Sequence, residues 1–281
     1  KRKCDFTGDN LITIYHPDPK TKIYRQDIWW SDKWDPREYG REYDFSRPFF
    51  EQFAELMNEV PYPALNTEYS TMINSDYCNA ASGCKNCYLV FRCTVAEDCA
   101  YMSVVNDAKN SLDCTDTHFP ELCYGSSQIN KGHRVIFSQD CEESSDLYFC
   151  RDLVGCMNCV GCINLRNKSY CWFNEQLTRE EYEKRFKLLD FGSRSSVAEF
   201  KEKADQFFLT QPRRQFHGRQ NADASGDYLY NCKNVKDSYM VRNGENMRYC
   251  SLLKQGPARN CYDYTMFADN SEWVYDSAWV G

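Results

Sequence analysis

The sequence predicts a mainly β protein: a tight β-solenoid of 12-residue coils, with a small α/β aromatic N-terminal cap and a two-helix insertion. Three observations predict it. All thirteen cysteines from Cys78 to Cys171 fall on positions divisible by three, which chance would arrange about once in half a million trials. Reading every third residue from Cys84 to Cys171 meets one charged side chain, Lys168, and no aromatic, in a chain that is 27% charged and 15% aromatic. A slower repeat of twelve lies over the first, with Asn or Asp before the column residue at Asn86-Cys87, Asp98-Cys99, Asn110-Ser111, Asp146-Leu147 and Asn158-Cys159.

A helix repeats at about 3.6 residues and a flat strand at about 2, so a period of three fits neither. It needs a backbone that turns continually around one small, dry interior. Asn and Asp favour tight turns through bonds from their side chains to their own backbone, which makes each of them the same corner on successive coils. Such units hide their apolar side only by stacking on neighbours. Residues 71–174 hold about eight coils, a rod of roughly 38 Å at a strand spacing of about 4.8 Å. The coil resembles the tight β-helix of beetle antifreeze proteins, whose repeat is T-C-T-x-S-x-x-C-x-x-A-x, and that resemblance implies a right-handed winding. In that family the two cysteines of a coil join across the interior, and threonines flank the first to bind ice. Here only Cys87 and Cys93 fit such a pair within a coil of the same phase, because the partner of Cys141 would be Val135 and that of Cys123 would be Ile129. The flanking residues, among them Asn86/Tyr88 and Asp98/Ala100, lack the threonine array, which argues against ice binding.

Taken in order, residues 1–70 form the cap. Short strands are expected at Leu11 to Tyr15 and Ile23 to Tyr24, around a His16-Pro17-Asp18-Pro19 turn. Ser46 caps a helix with Pro48 in its first turn, which carries Phe49, Phe50, Phe53, Leu56 and Met57 and ends before Pro61. Trp29, Trp30 and Trp34 read either as a stacking platform for a base or sugar or as core that seals the first coil. After the solenoid of 71–174, residues 175–222 form the insertion. Thr178 with Glu181 makes a capping box for a helix bearing Tyr182, Phe186 and Leu189, and Ser196 with Glu199 makes another for Phe200, Ala204 and Phe207. A basic loop with Arg213, Arg214, His217 and Arg219 follows, a weak signal for an anion site against a solvated linker. Residues 223–281 continue the solenoid in a shifted phase through Leu229, Cys232, Val235, Ser238 and Val241, with an irregular turn near Gly256-Pro257. The aromatic tail from Trp273 to Trp279 is expected to seal the far end.

A net charge of −7 and a pI near 5.3 argue against a general nucleic-acid binder, which needs a basic face for phosphates. No apolar run of membrane-spanning length and no signal peptide is seen, so a soluble, cytoplasmic protein is expected. Seventeen cysteines in a chain long enough to build a core read as small hydrophobes in a reducing compartment. No cofactor is expected. The alternative is zinc or iron on Cys156, Cys159 and Cys162, joined by Cys150 or Cys171, although the period of three already explains their spacing.

Because only small side chains fit inside such a coil, function is expected outside it. The residues after one inward corner are Tyr88, Ala100, Leu112, Tyr124, Ile136, Tyr148, Val160 and Trp172, with Leu89, Tyr101, Phe137, Phe149 and Phe173 beside them. A stripe this long marks either an internal contact or a partner site. The favoured reading is a non-enzymatic scaffold or protein-interaction module, with a protein partner or a homodimer on the uncovered part. An enzyme with its site between cap and solenoid would draw on Asp32, Asp35, His118 or His133, which nothing spaces into a dyad, the two histidines reading as exposed loop residues. An acidic rod mimicking DNA would use Asp116, Asp140 and Asp152, a column broken by Gln128.

Several blocks carry a second likeness: Lys1-Arg2-Lys3-Cys4-Asp5-Phe6-Thr7-Gly8, Trp29-Trp30-Ser31-Asp32-Lys33-Trp34-Asp35, Asp44 to Phe53, and Asn164 to Cys171. In these the chain resembles cysteine-rich proteins of uncultivated candidate-phyla bacteria. The resemblance implies a zinc ribbon with paired cysteines upstream of Lys1 and no particular activity. Cys4 alone cannot hold zinc, since the nearest partner position is Thr7.

Overall fold

Between Asn74 and Asn174 the backbone bends at nearly every third residue. Asn86, Leu89, Arg92, Asp98, Tyr101 and Val104 all take left-handed φ values of 52–55°, and each precedes a buried residue. The computed structural model, which describes residues 1–17, 20–254 and 256–280, thus repeats one three-residue conformation rather than one corner per twelve. Asn and Asp adopt it readily, whereas Leu89, Tyr101 and Val104 are held there at a cost of roughly 1–2 kcal/mol each. The expected turn at His16-Pro17-Asp18-Pro19 lies partly outside the described residues.

The chain is mainly β, with four helices, and its long sheets are parallel. Partners stand twelve residues apart: Ser103 with Thr115, Thr115 with Ser127, Ser127 with Gln139, and Gln139 with Arg151. A second ladder runs through His133, Ser145, Met157 and Ser169. Parallel strands ordinarily need a helical crossover. Here these partners stand only twelve residues apart, with left-handed bends and no helix between them.

Those bends also explain the choice of cysteine. All seventeen cysteines are buried and free. In the interior most of them donate back to the carbonyl two residues earlier, as Cys99 does to Glu97 at 3.2 Å and Cys114 to Leu112 at 3.3 Å. Buried serines make the same bond, Ser111 to the Lys109 carbonyl at 2.8 Å and Ser138 to that of Ile136 at 2.9 Å. Their hydroxyls also accept from the backbone twelve residues on, Ser111 from Cys123 and Ser138 from Cys150. Each such position therefore wants a small side chain with one hydrogen to donate, and the thiol adds apolar bulk.

Contact density divides the chain into two units, Lys1–Gln211 and Pro212 onward. In the first, strands Arg2–Lys3 and Asn10–Leu11 pair antiparallel and Ile23–Tyr24 pairs with Tyr62–Pro63. Helix α1 spans Gln26–Trp29 and α2 spans Phe49–Glu59, ending before Pro61 as its composition predicts. Its N-cap is Pro48 rather than Ser46, whose hydroxyl is taken by Asp44 at 2.6 Å. The apolar face of α2 seals nothing: Phe49, Phe50, Phe53 and Met57 are all exposed. Helix α3, Arg179–Phe186, carries the expected Thr178–Glu181 capping box. Helix α4, Arg194–Leu209, starts one turn before the expected Ser196, because Ser193 accepts the Ser196 amide and so becomes the cap. Among the described residues no helix is long and apolar enough to cross a membrane.

The second unit is again parallel, beginning at Gly218–Arg219 rather than after 222. Gly226 pairs with Ser238 and Leu229 with Val241 at the step of twelve, and from Met247 to Cys261 the step lengthens to fourteen across the Gly256-Pro257 turn. Its interior corrects the rule that only small side chains fit: Tyr264 is fully buried, its hydroxyl bonded to Ser271 and to the Val280 carbonyl. The aromatic tail does not seal the end. Trp273, Tyr275 and Trp279 are exposed, and Tyr275–Ala278 instead extends the sheet.

Candidate functional site

The stripe of outward residues is one continuous ladder. Tyr88 pairs with Ala100, then Leu112, Tyr124 and Ile136 follow through single bridges, and Tyr148, Val160 and Trp172 close the series. Bends at Phe137, Phe149 and Phe173 bring the adjacent column of rings onto the same face. Its two halves meet different surroundings.

From Ile136 onward α3 and α4 lie on it. Tyr148 meets Phe186 at 4.8 Å between ring centres, Phe149 meets Phe200 at 4.9 Å, and Phe173 meets Phe207 edge-on at 5.3 Å. Val160 is 0% exposed and Phe149 3%, while Ile136, Phe137 and Trp172 are partly covered. Phe191, in the loop between the helices, stacks on Phe149 and touches Tyr148. Tyr182 is buried in this contact with its hydroxyl unpartnered, and burial pushes its ionisation far above the usual phenol range. Each ring so buried contributes about 1.5–3 kcal/mol.

The other half faces water. Tyr88 is 45% exposed, Leu112 39% and Tyr124 38%. Tyr77, Tyr88 and Tyr101 stand edge to face at 5.5 and 5.6 Å. A groove of about 460 Å³ runs beside them, lined by Asn86, Tyr88, Asp98, Ala100, Asn110 and Leu112 among others. Its rim is stiffened by a side-chain ladder, Asn74 to Asn86 at 3.1 Å and Asn86 to Asp98 at 2.9 Å. The Lys85–Glu97 pair at 2.6 Å is exposed and contributes at most about 1 kcal/mol. Tyr77 was not legible as part of the stripe; tracing the Leu89 and Tyr101 column back by twelve reaches it.

The remaining candidates fare differently. Cys156, Cys159 and Cys162 are buried neighbours, but among the described residues no group of three or more His, Cys, Asp or Glu is arranged to hold a metal. Cys156 is pushed well above the thiol range by its bond with Cys159 and then by burial, and Cys162 by its bond with Cys150. Trp29 and Trp34 are half-buried and donate to the Pro61 and Trp29 carbonyls. Trp29 and Trp30 meet at 82°, so the three rings make no parallel platform.

His118 and His133 are not exposed loop residues but lie in the strands Thr115–His118 and His133–Ile136, the latter 3.4 Å from Glu121. Asp35 caps the short helical turn Pro36–Tyr39. Asp116 and Asp152 are buried, the latter paired with Arg166, so the acidic column is not displayed as a phosphate mimic requires. In the second unit His217 bonds Asp227 and stacks on Tyr228, and Arg219 lies over Tyr230.

A cavity of about 630 Å³ does lie beside the first strands, lined by Arg25, Gln26, Asp27, Thr67, Asp76 and Tyr77 among others, and includes none of the four residues named for catalysis. Arg25 bonds Asp27 and holds its carboxyl below the usual range. Burial pushes the nearby Cys4 thiol up, but hydrogen bonds from Thr7, Arg25 and Phe6 outweigh it and leave it below the usual thiol value. Comparison with known protein families found no matching family, and no curated protein matches the sequence significantly.

Proposed function

We propose that the protein is a non-enzymatic scaffold and interaction module, built as a right-handed β-solenoid of 12-residue coils and acting through the open part of its outer stripe. The winding is supported by the twelve-residue pairing steps and by the left-handed bend at every third residue, and its hand by the likeness to beetle antifreeze coils. The observation that carries the functional reading is the split of one aromatic ladder into a covered and an open half. An apolar strip that the chain covers only in part leaves the remainder for a partner. With the likeness to candidate-phyla proteins goes the further proposal of a zinc ribbon upstream of Lys1.

Thiol titration of denatured protein, purified without chelator or reductant and paired with elemental analysis, tests this reading. The scaffold account expects seventeen reactive thiols and no stoichiometric metal bound by these residues. One equivalent of zinc or iron lost on Cys159→Ser would overturn it in favour of a metal protein.

A further inference from the structure

We propose that the open half of the stripe is the seat for helix α2 of a second copy of this chain, in a reciprocal dimer; this rests on the reading of the stripe as an interaction surface. Helix α2 is the second large apolar surface of the first unit left facing water. Phe49, Phe50, Phe53, Leu56 and Met57 fall within one arc of about 120° at 100° per residue, and Phe50 is 79% exposed. An amphipathic helix ordinarily turns that arc inward, so an exposed one marks a contact to be made.

The covered half shows what this ladder accepts: an amphipathic helix that lays phenylalanines against its tyrosine and phenylalanine rings, as Phe186 and Phe200 do. The open half continues the same ladder, and α2 offers the same chemistry. Lengths agree as well. Eleven residues of helix span about 16 Å, and the four ladder positions from Tyr88 to Tyr124 span about 14 Å. Ion pairs offset most of the charge beside the two surfaces, Arg47–Glu55 and Arg41–Glu59 on the helix flank and Lys85–Glu97 on the stripe rim, and leave Glu51 of the helix and Asp98 of the groove as carboxylates that the contact has to keep at its wet edge. The exposed part of four such side chains amounts to about 400 Å². One helix on one stripe is therefore small for a stable complex, whereas two reciprocal contacts bury about 800 Å² per partner, the size of a standard interface.

The test is sedimentation of the full chain, its Phe50→Glu variant and its Tyr88→Glu variant, each alone and the two variants mixed. The expected result is a dimer for the wild type, at least about a hundredfold weaker association for each variant alone, and partial recovery in the mixture. Recovery follows because the mixed pair keeps one sound helix facing one sound stripe. Unchanged circular dichroism of Phe50→Glu, a substitution at a solvent-facing position, shows that the loss is not unfolding. A wild type that stays monomeric to about 100 μM overturns the proposal. A Phe50→Glu variant that dimerises while Tyr88→Glu does not also overturns it, yet leaves the stripe as an interaction surface.

Discussion

One ladder of side chains runs from Tyr88 to Trp172, yet its two halves live in different solvents. Beyond Ile136 the rings are roofed by α3 and α4; before it the same kind of ring lies open to water. The floor beneath is alike in both, since Cys99 and Cys123 in the open half and Cys150 and Cys159 in the covered half are all buried. The strand register is also the same step of twelve. What differs is only whether the chain returns over the face, and it does so where the insertion leaves the repeat after Phe173 and packs back at once. The lesson is that the repeat supplies a surface and a local detour decides its use.

The comparison breaks most sharply under a buried charge. Val160→Asp should cost more than about 4 kcal/mol in urea unfolding and release α3 and α4, because the carboxylate has no partner under the helices. The matching Leu112→Asp on the open half should cost under about 1 kcal/mol at dilutions where the chain is monomeric. Equal costs would mean that the open half is covered in solution. Cavity formation gives a gentler version: Phe149→Ala should lose about 3–5 kcal/mol and Tyr101→Ala under about 1 kcal/mol.

Alkali sharpens the contrast from below, by attacking the shared floor. Burial pushes the Cys123 thiol up to about 11 and the Cys114 thiol up to about 12, from an ordinary value of 9.0. Above pH 9 the unfolded chain ionises these thiols while the folded one holds them protonated. The stabilisation is thus complete below pH 9 and falls between pH 9 and about 12, by about 1.4 kcal/mol per pH unit for each such thiol. Burial raises the Cys150 thiol under the covered half as well, so amide exchange read by mass spectrometry should show both halves failing together in that window; survival of either half alone would contradict a common floor. The most local effect is expected from Thr178→Ala, which removes one capping-box partner. It should cost about 1 kcal/mol and speed amide exchange in α3 without altering the strands under Tyr88 to Tyr124.

Much of this was legible in the sequence because the interior tolerates so little. Cys84, Cys87 and Cys93 fall on the beat of three, and no charge or ring could take their places without a cavity or clash. The bends were legible only where Asn86, Asp98 or Asn110 announced them. Leu89, Tyr101 and Val104 take the same left-handed conformation against their own propensity, held by the ladder on either side. Helix α4 begins one turn before the Ser196 cap because Ser193 and Ser196 are both sound caps, and only the packed structure chooses between them. The apolar residues of α2 implied burial by their pattern, but pattern states an appetite for cover and not its source. The stripe itself was readable by counting. Its division was not, since that depends on where α3 and α4 come to rest.

The division is also what a single measurement addresses most directly. Tyrosine modification by hydroxyl radicals, read by mass spectrometry at dilutions where the chain is monomeric, compares Tyr88, Tyr101 and Tyr124 with Tyr148 and Tyr182 on one molecule. The account predicts prompt modification of the first three and protection of the last two until α3 and α4 unfold. Equal protection of all five in the monomer would contradict it.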